Sequence, residues 1–451
     1  MKLLEKEKIY CSQGDTSGKH IPKKVFNKAD GCFLFDSNEK RFLDMQMFNS
    51  AANFGYQRSE YKICIEKSLN QLPCLAGEFM SESRINLSEK MCSYIKEKYG
   101  VNGRIHFTVG GAQAVDDALK LAINFNSKRN IFAFEGGYHG RTMAASSVSS
   151  SYRYTKQFGS VLNTTRIPFP NCSSCVYNKE SSSCDLYCLK QFERMFESEF
   201  SGVYDTNSRE SPYSAFILEP VLGRGGYVFP HPNYLSKLVD ILHKHNILVI
   251  ADEVQMGFFR TGSLWSFENY NIVPDIIVFG KAITNGLWPL SGVWAKEEII
   301  SPNIWPTGST HCTFAGHPIA TSLGLCTFEI IESTSFKPTI SKSTKGFNKS
   351  LINIAKDYAC IGRTQFSGHA AGMDIVNPKT KKPDPVAAHK LVEYALNVGT
   401  TIHGENIGLI LTAGGMFNSQ LMLSPCLFIT EQEIHLFEMI FRDCLDKTIL
   451  E

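Results

Sequence analysis

Four short runs, NIFAFE (130–135), SAFILE (214–219), NILVIAD (246–252) and DIIVFG (275–280), are apolar almost from end to end and close on a polar residue or a glycine. A strand that is apolar at nearly every position, rather than at every second one, has no face to offer water. Helical patterns separate these runs, and one follows RIHFTV (104–109): in AQAVDDALKLAINF, Ala114, Ala118, Leu119 and Ala122 recur at helix spacing. The alternation predicts an α/β fold, a mainly parallel mixed sheet lying between layers of helices. In such sheets ligands sit beyond the carboxyl ends of the strands. Glu219, Asp252 and the segment leading to Lys281 fall there.

The flanks read differently. Residues 1–70 and 335–451 hold strand-like pieces such as CFLFD and RFLDM, then helical patterns around 385–398 and 431–446. They are expected to form a small α+β domain built from both termini, beside a large domain over 71–334. The Ser-rich patches SSVSSSY (146–152) and ESSSC (180–184) are expected as loops, the second inside a Cys/Ser-rich insertion around 170–212. The 46 Lys and Arg against 44 Asp and Glu leave a net charge of +2, without the concentrated basic field that nucleic-acid or membrane-surface binding needs. No run of about 18 apolar residues is present, and MKLLEKEKIY carries charges where a signal peptide needs an apolar core. A cytoplasmic protein is expected, and its fourteen cysteines are expected as thiols. Four of them, Cys172, Cys175, Cys184 and Cys188, stand as C-x2-C-x8-C-x3-C. That spacing suits four ligands of a structural zinc, and equally an insertion with incidental thiols.

Lys281 follows an apolar strand, between Gly280 and Ala282. Burial there lowers a lysine pKa and makes the neutral, nucleophilic amine accessible, as Schiff-base chemistry requires; a snorkelling surface lysine is the plain alternative. Asp252 ends the preceding strand, where a carboxylate can pair with a protonated pyridine nitrogen or make a helix cap or local ion pair. TVGGAQAVDDALK (108–120) opens a helix directly after a strand, and a helix N-terminus receives phosphate well. EGGYHGRT (135–142) supplies Tyr138 and His139, aromatic groups able to stack on a planar ring or simply to pack in a loop. Each feature alone is weak. In order, after successive strands, they describe a pocket for pyridoxal 5′-phosphate (PLP).

TVGGAQAVDDALKLA, GGYHGRT, LEPVLGRGG, IADEVQMGFFRTG, PDIIVFGKAITNG and HCTFAGHP, preceded by FLFDSNEKRFLDM and NFGY and followed by GLILTAGG, resemble the class III (ω-amino acid type) aminotransferase family of PLP enzymes. The resemblance runs through nearly the whole chain. It implies a PLP-binding large domain, a small-molecule amino donor, an oxo acid or aldehyde acceptor, and a homodimer with shared active sites. It implies that Gly111 and Ala112 bind the cofactor phosphate through their backbone, that Tyr138 stacks on the ring and that Val254 presses on its other face. Asp252 would pair with the ring nitrogen, and Gln255 would reach the 3′-oxygen. Lys281 would form the internal aldimine and shuttle the proton from substrate Cα, and Thr313 would contact the phosphate of the neighbouring subunit. Glu219 is implied as a supporting acid and Glu253 as structural.

The sequence also departs from the family's pattern. Serine and threonine are usual where this chain has Gly110 and Ala112, so two hydroxyl donors are missing. The glutamate common in EPxxGEGG is Arg224, and an ungapped alignment of GLILTAGGMFNSQLMLSPCL puts Met422 where relatives carry its arginine partner. Arg141 or Arg224 is left to take a carboxylate, so 2-oxoglutarate is expected either to be disfavoured as acceptor or to be held through Arg224. Phe54 and Trp288 are candidate pocket residues; Phe258 and Phe259 either line the pocket or pack. Two other functions stay open: an amino-acid racemase or epimerase on the same scaffold, since Lys281 serves both reactions, and a non-catalytic binding protein, which the intact Asp252, Gln255 and Lys281 oppose.

Overall fold

The computed structural model describes residues 3–12, 14 and 24–450. They fall into two compact units, one of residues 50–52 and 59–336 and one drawn from both chain ends. Within the span 1–70 read as terminal, residues 1, 2, 13 and 15–23 lie outside the described residues. Residues 59–70 sit in the larger unit. Their helix, Ser59–Gln71, packs on the helix Pro318–Glu332, and the Tyr61 hydroxyl meets Thr327 Oγ1 at 2.9 Å.

The larger unit is built on seven strands: β1 (Gly103–Thr108), β2 (Asn130–Phe134), β3 (Thr164–Ile167), β4 (Tyr213–Leu218), β5 (Leu248–Asp252), β6 (Ile276–Phe279) and β7 (Ser291–Lys296). Their order across the sheet is β1-β7-β6-β5-β4-β2-β3. The pairs β2–β3, β2–β4, β4–β5 and β5–β6 are parallel. Strand β7 runs antiparallel to both neighbours, so β1 points the same way as the parallel set, and the sheet is mainly parallel with one reversed strand. Every residue of β4 and β6 is buried, as their largely apolar character requires.

The two faces of the sheet are covered by different side chains. Ile131 and Ala133 of β2, Ala215 and Ile217 of β4 and Ile250 of β5 pack with Ala114, Val115, Ala118, Leu119 and Ala122 of the helix α1 (Gly111–Asn126). Burying each branched side chain contributes about 1.5–3 kcal/mol, and the alanines let the helix lie close to the strands. On the opposite face Phe132 and Phe216 meet Phe192 at ring-centroid distances of 5.3 and 6.1 Å. Phe192 comes from the helix Tyr187–Glu193, so the Cys/Ser-rich insertion supplies part of the second helical layer.

Two expectations need correction. Ser146 and Ser147 of the first Ser-rich patch lie inside a helix, Met143–Val148; both hydroxyls donate back to Met143 O, at 3.0 and 2.8 Å, so serine's competition with the backbone is satisfied within the helix. The zinc expectation is not supported either. Among the described residues no group of three or more His, Cys, Asp or Glu is placed to hold a metal ion. Cys172, Cys175, Cys184 and Cys188 are free thiols.

The smaller unit holds two sheets, a five-stranded one containing Phe33–Asp36, Arg41–Asp44 and Glu405–Ile410 and a four-stranded one containing Ile361–Ser367 and Ala370–Ile375. The parallel pairing of Gly408 with Phe42 joins the two chain ends in one sheet. Its helices carry conventional ends: Asp384 caps the helix Pro385–Asn397 through Ala387 N, with proline at the first turn, and Thr430 forms a capping box with Glu433 before Glu431–Leu445.

Candidate active site

The direction shared by β1, β2, β4, β5 and β6 brings the residues after Thr108, Phe134, Leu218, Asp252 and Phe279 to one edge of the sheet. The turn after β1 opens α1 with Gly110 as an N-cap that has no side chain to bond the helix amides. Those first amides lack intrahelical partners, and Thr108 Oγ1, buried just before them, is also unpaired. The turn after β2 folds onto this helix start. Gly140 has φ +134, and a Cβ there would lie 2.4 Å from the Cβ of Ala112. Val254 methyls sit 3.0 and 3.3 Å from where a Gly111 Cβ would be, and 3.6 Å from one at Gly280. The phosphate-type turn, Val254 and the lysine turn therefore converge.

Asp252 is 6% exposed and His139 is 3% exposed. His139 Nδ1 donates to Asp252 Oδ2 at 2.8 Å, and the Val254 amide donates to Asp252 Oδ1 at 3.1 Å. Two donors hold the carboxylate that ends the apolar strand. Glu219, the residue after β4, accepts from Tyr138 N at 2.8 Å and from Gly223 N at 2.9 Å, so it fastens the two loops to each other. Burial pushes its carboxyl up to about 7, with His139 opposing and Asp252 adding to the shift. Glu253 turns the other way: it accepts from Ser266 N, Ser266 Oγ and Phe267 N, which makes it the anchor of the Ser266–Tyr270 turn. The adjacent acids face different groups.

Lys281 keeps some exposed surface as a residue, yet its ammonium is enclosed closely enough that desolvation holds it below the ordinary lysine value. Asp252 and Glu219 act against this shift, and Arg224 adds to it. Those four charged groups therefore share one small region. Among the described residues neither the Lys281 amine nor the half-buried Arg224 guanidinium has a hydrogen-bond or ion-pair partner. Gln255 Nε2 donates to the buried Tyr227 Oη at 3.1 Å.

Other candidates make contacts of their own. Arg141 is exposed and lies over Tyr154 at 4.3 Å and Tyr138 at 6.0 Å. Trp288 stacks on His317 at 5.4 Å. Thr313 is exposed. Phe258 packs on Trp265 and Phe328, and Phe259 on Phe336, so both are core. Phe54 and Met422 belong to the smaller unit and are buried there, Phe54 against Phe428. Tyr227 and Gly223 escaped the sequence reading although both lie in the motif around Arg224; a tyrosine straight after Gly-Gly was the signal.

The residues present fit PLP. An unpaired set of helix amides suits a phosphate, a carboxylate held by two donors suits a cationic ring nitrogen, and a desolvated lysine without a partner suits an aldehyde.

Relatives agree with this reading. The family model for class III aminotransferases matches residues 15–445. A diaminobutyrate–2-oxoglutarate aminotransferase of Haemophilus influenzae is 28% identical over 376 residues, covering 82% of this chain and 79% of the relative. An alanine/serine racemase of Pyrococcus horikoshii is 28% identical over 452 residues, covering 98% and 90%. A solved amine transaminase from an uncultivated Pseudomonas species, in its PLP-bound form, superposes with a TM-score of 0.84 at 23% identity over 97% of this chain and 98% of that one; at this identity it shows the fold. A family match over nearly the whole length settles the assignment: this chain belongs to the class III aminotransferase family, PLP-dependent enzymes that move an amino group from a donor to an oxo or aldehyde acceptor.

Proposed function

We propose that this transaminase takes a donor carrying a carboxylate, an amino acid, and receives that carboxylate on Arg224. One observation carries the reading. Arg224 lies close enough to Lys281 to depress its ammonium, yet among the described residues no carboxylate pairs with it. A half-buried guanidinium without a partner is a built receptor for a planar anion.

The remaining roles are part of the same proposal. Bound here, PLP supplies an electron-poor ring that stabilises negative charge at the substrate Cα. The Lys281 amine, kept neutral more readily by burial, takes the Cα proton and returns it. Asp252 would hold the ring nitrogen in its charged form, Tyr138 and Val254 would confine the two ring faces, and Gln255 would donate to the 3′-oxygen. Gly111 and Ala112 would receive the phosphate through their amides, and Glu219 keeps the Tyr138 and Gly223 loops together. Exposed Phe79, Met80, Leu287 and Phe314 support a homodimer in which Thr313 of the partner subunit completes the phosphate site. No helix among the described residues is long and apolar enough to cross a membrane, and a cytoplasmic site of action accords with the thiol-rich composition.

The test compares an amino acid with the amine that lacks its carboxylate. Arg224→Ala is expected to raise KM for the amino acid by about 10–100-fold, the equivalent of one charged hydrogen-bonded pair, and to leave the amine unchanged. Equal losses for both donors would remove Arg224 from the carboxylate. Racemase relatives favour one second reading, racemisation through the same lysine. Loss of optical rotation without formation of oxo acid would assign it.

A further inference from the structure

The Gln255 amide is gripped at both ends. A Cβ at Gly223 would lie 2.2 Å from Gln255 Oε1, so the oxygen end rests against the bare Cα of that glycine. The nitrogen end donates to Tyr227 Oη at 3.1 Å, and the same hydroxyl lies 3.1 Å from Ser50 Oγ. Tyr227 is 2% exposed and has φ +48. That backbone region is costly for a residue with a large side chain, and the surrounding turn holds it there: Tyr227 N donates to Gly223 O at 3.2 Å, and Leu222 and Val228 exchange two backbone bonds at 3.1 and 3.3 Å.

An amide nitrogen carries two N–H groups. One meets Tyr227, and the other is left for a different acceptor. A phenol hydroxyl can donate or accept, and with its proton given to Ser50 Oγ, 3.1 Å away, it offers Gln255 an acceptor only. The terminal torsion of a glutamine is soft and roughly two-fold, so without that acceptor the amide can turn over and present its carbonyl instead. We infer that Tyr227, with Ser50 behind it, is a positioning residue that fixes the orientation of the Gln255 amide, so that an N–H and not a carbonyl faces the 3′-oxygen of the cofactor. The inference rests on the proposed contact between Gln255 and that oxygen. Tyr227 itself touches neither cofactor nor substrate in this role; it acts through Gln255.

The experiment titrates the visible absorbance of the PLP-loaded enzyme against pH for wild type, Tyr227→Phe, Gln255→Leu and the double variant, with melting temperatures as the control for folding. Phenylalanine keeps the buried ring and removes only the hydroxyl. Both single variants are expected to move the titration midpoint in the same direction, by about half to one unit for one hydrogen bond. The double variant is expected to match Gln255→Leu alone, and Ser50→Ala to move it less. A shift for Gln255→Leu with none for Tyr227→Phe overturns the positioning role and leaves the Gln255 contact standing. Additive shifts also overturn it, because Tyr227 would then act independently. No shift in either variant removes the Gln255 contact, and the inference falls with it.

Discussion

His139 Nδ1 and Asp252 Oδ2 lie 2.8 Å apart at the end of the central strand, with almost no solvent on either. Desolvating a carboxylate is costly unless donors or a cation compensate. Here a histidine N–H and the Val254 amide orient the acid, and in the role proposed for it a cationic ring nitrogen would balance its charge. Replacing His139 with alanine is expected to lower turnover by about 10–100-fold, the loss of one charge-assisted hydrogen bond of about 1.5–3 kcal/mol. Asp252→Ala is expected to cost about 10²–10³ or more, as for other preorganised charge partners. Both variants should retain cofactor on Lys281, measured as absorbance after desalting. Full turnover in Asp252→Ala would remove it from the ring nitrogen.

Glu253 gives a prediction about stability. Burial pushes its carboxyl up to about 8, against the pull of three hydrogen bonds from Ser266 and Phe267. In the unfolded chain a glutamate titrates near pH 4.3, so between about pH 4 and 8 the native state binds this proton more tightly. The stability this group contributes is complete below about pH 4 and is lost as pH rises through 8. Glu219, raised to about 7, has the same sign. Urea midpoints of the apoprotein measured from pH 5 to 8.5 should fall less steeply in Glu253→Gln than in wild type, the variant being less stable throughout because its NH2 faces donors. Parallel slopes would contradict the raised value.

The strands and their carboxyl-end residues were legible in the sequence because a fully buried strand leaves an unbroken apolar run and whatever polar group ends it stands out. Asp252, Glu219 and Lys281 were found that way. Contacts between distant residues leave no such mark. Ser50 and Tyr227 meet across 177 positions, and no spacing rule connects them. The helix through Ser146 and Ser147 was hidden by composition, since serine suggests a loop until its hydroxyl is seen bonding its own helix. The cysteine spacing had the opposite fault: it permits four ligands but says nothing about where the sulfurs point.

The insertion around 170–212 is therefore expected to matter through its aromatic residues rather than its thiols. Phe192 is wedged among Phe132, Phe196 and Phe216 and is 2% exposed. Phe192→Ala should cost about 3–5 kcal/mol of stability, read by urea unfolding. Replacing Cys172, Cys175, Cys184 and Cys188 together by serine should change it by about 1 kcal/mol or less, and a chelator should leave the melting temperature of wild type unmoved. A chelator-dependent drop would restore a metal to this loop.

The decisive measurement is the half-reaction. PLP-loaded enzyme mixed with an amino-acid donor alone, with no acceptor, should lose its visible cofactor absorbance and release one equivalent of oxo acid per active site, and adding an oxo acid should restore the spectrum. Lys281→Ala should bind cofactor weakly and fail to complete the cycle. An unchanged spectrum with no oxo acid across a panel of amino acids and amines, or a wild-type cycle in Lys281→Ala, would contradict transamination through this lysine.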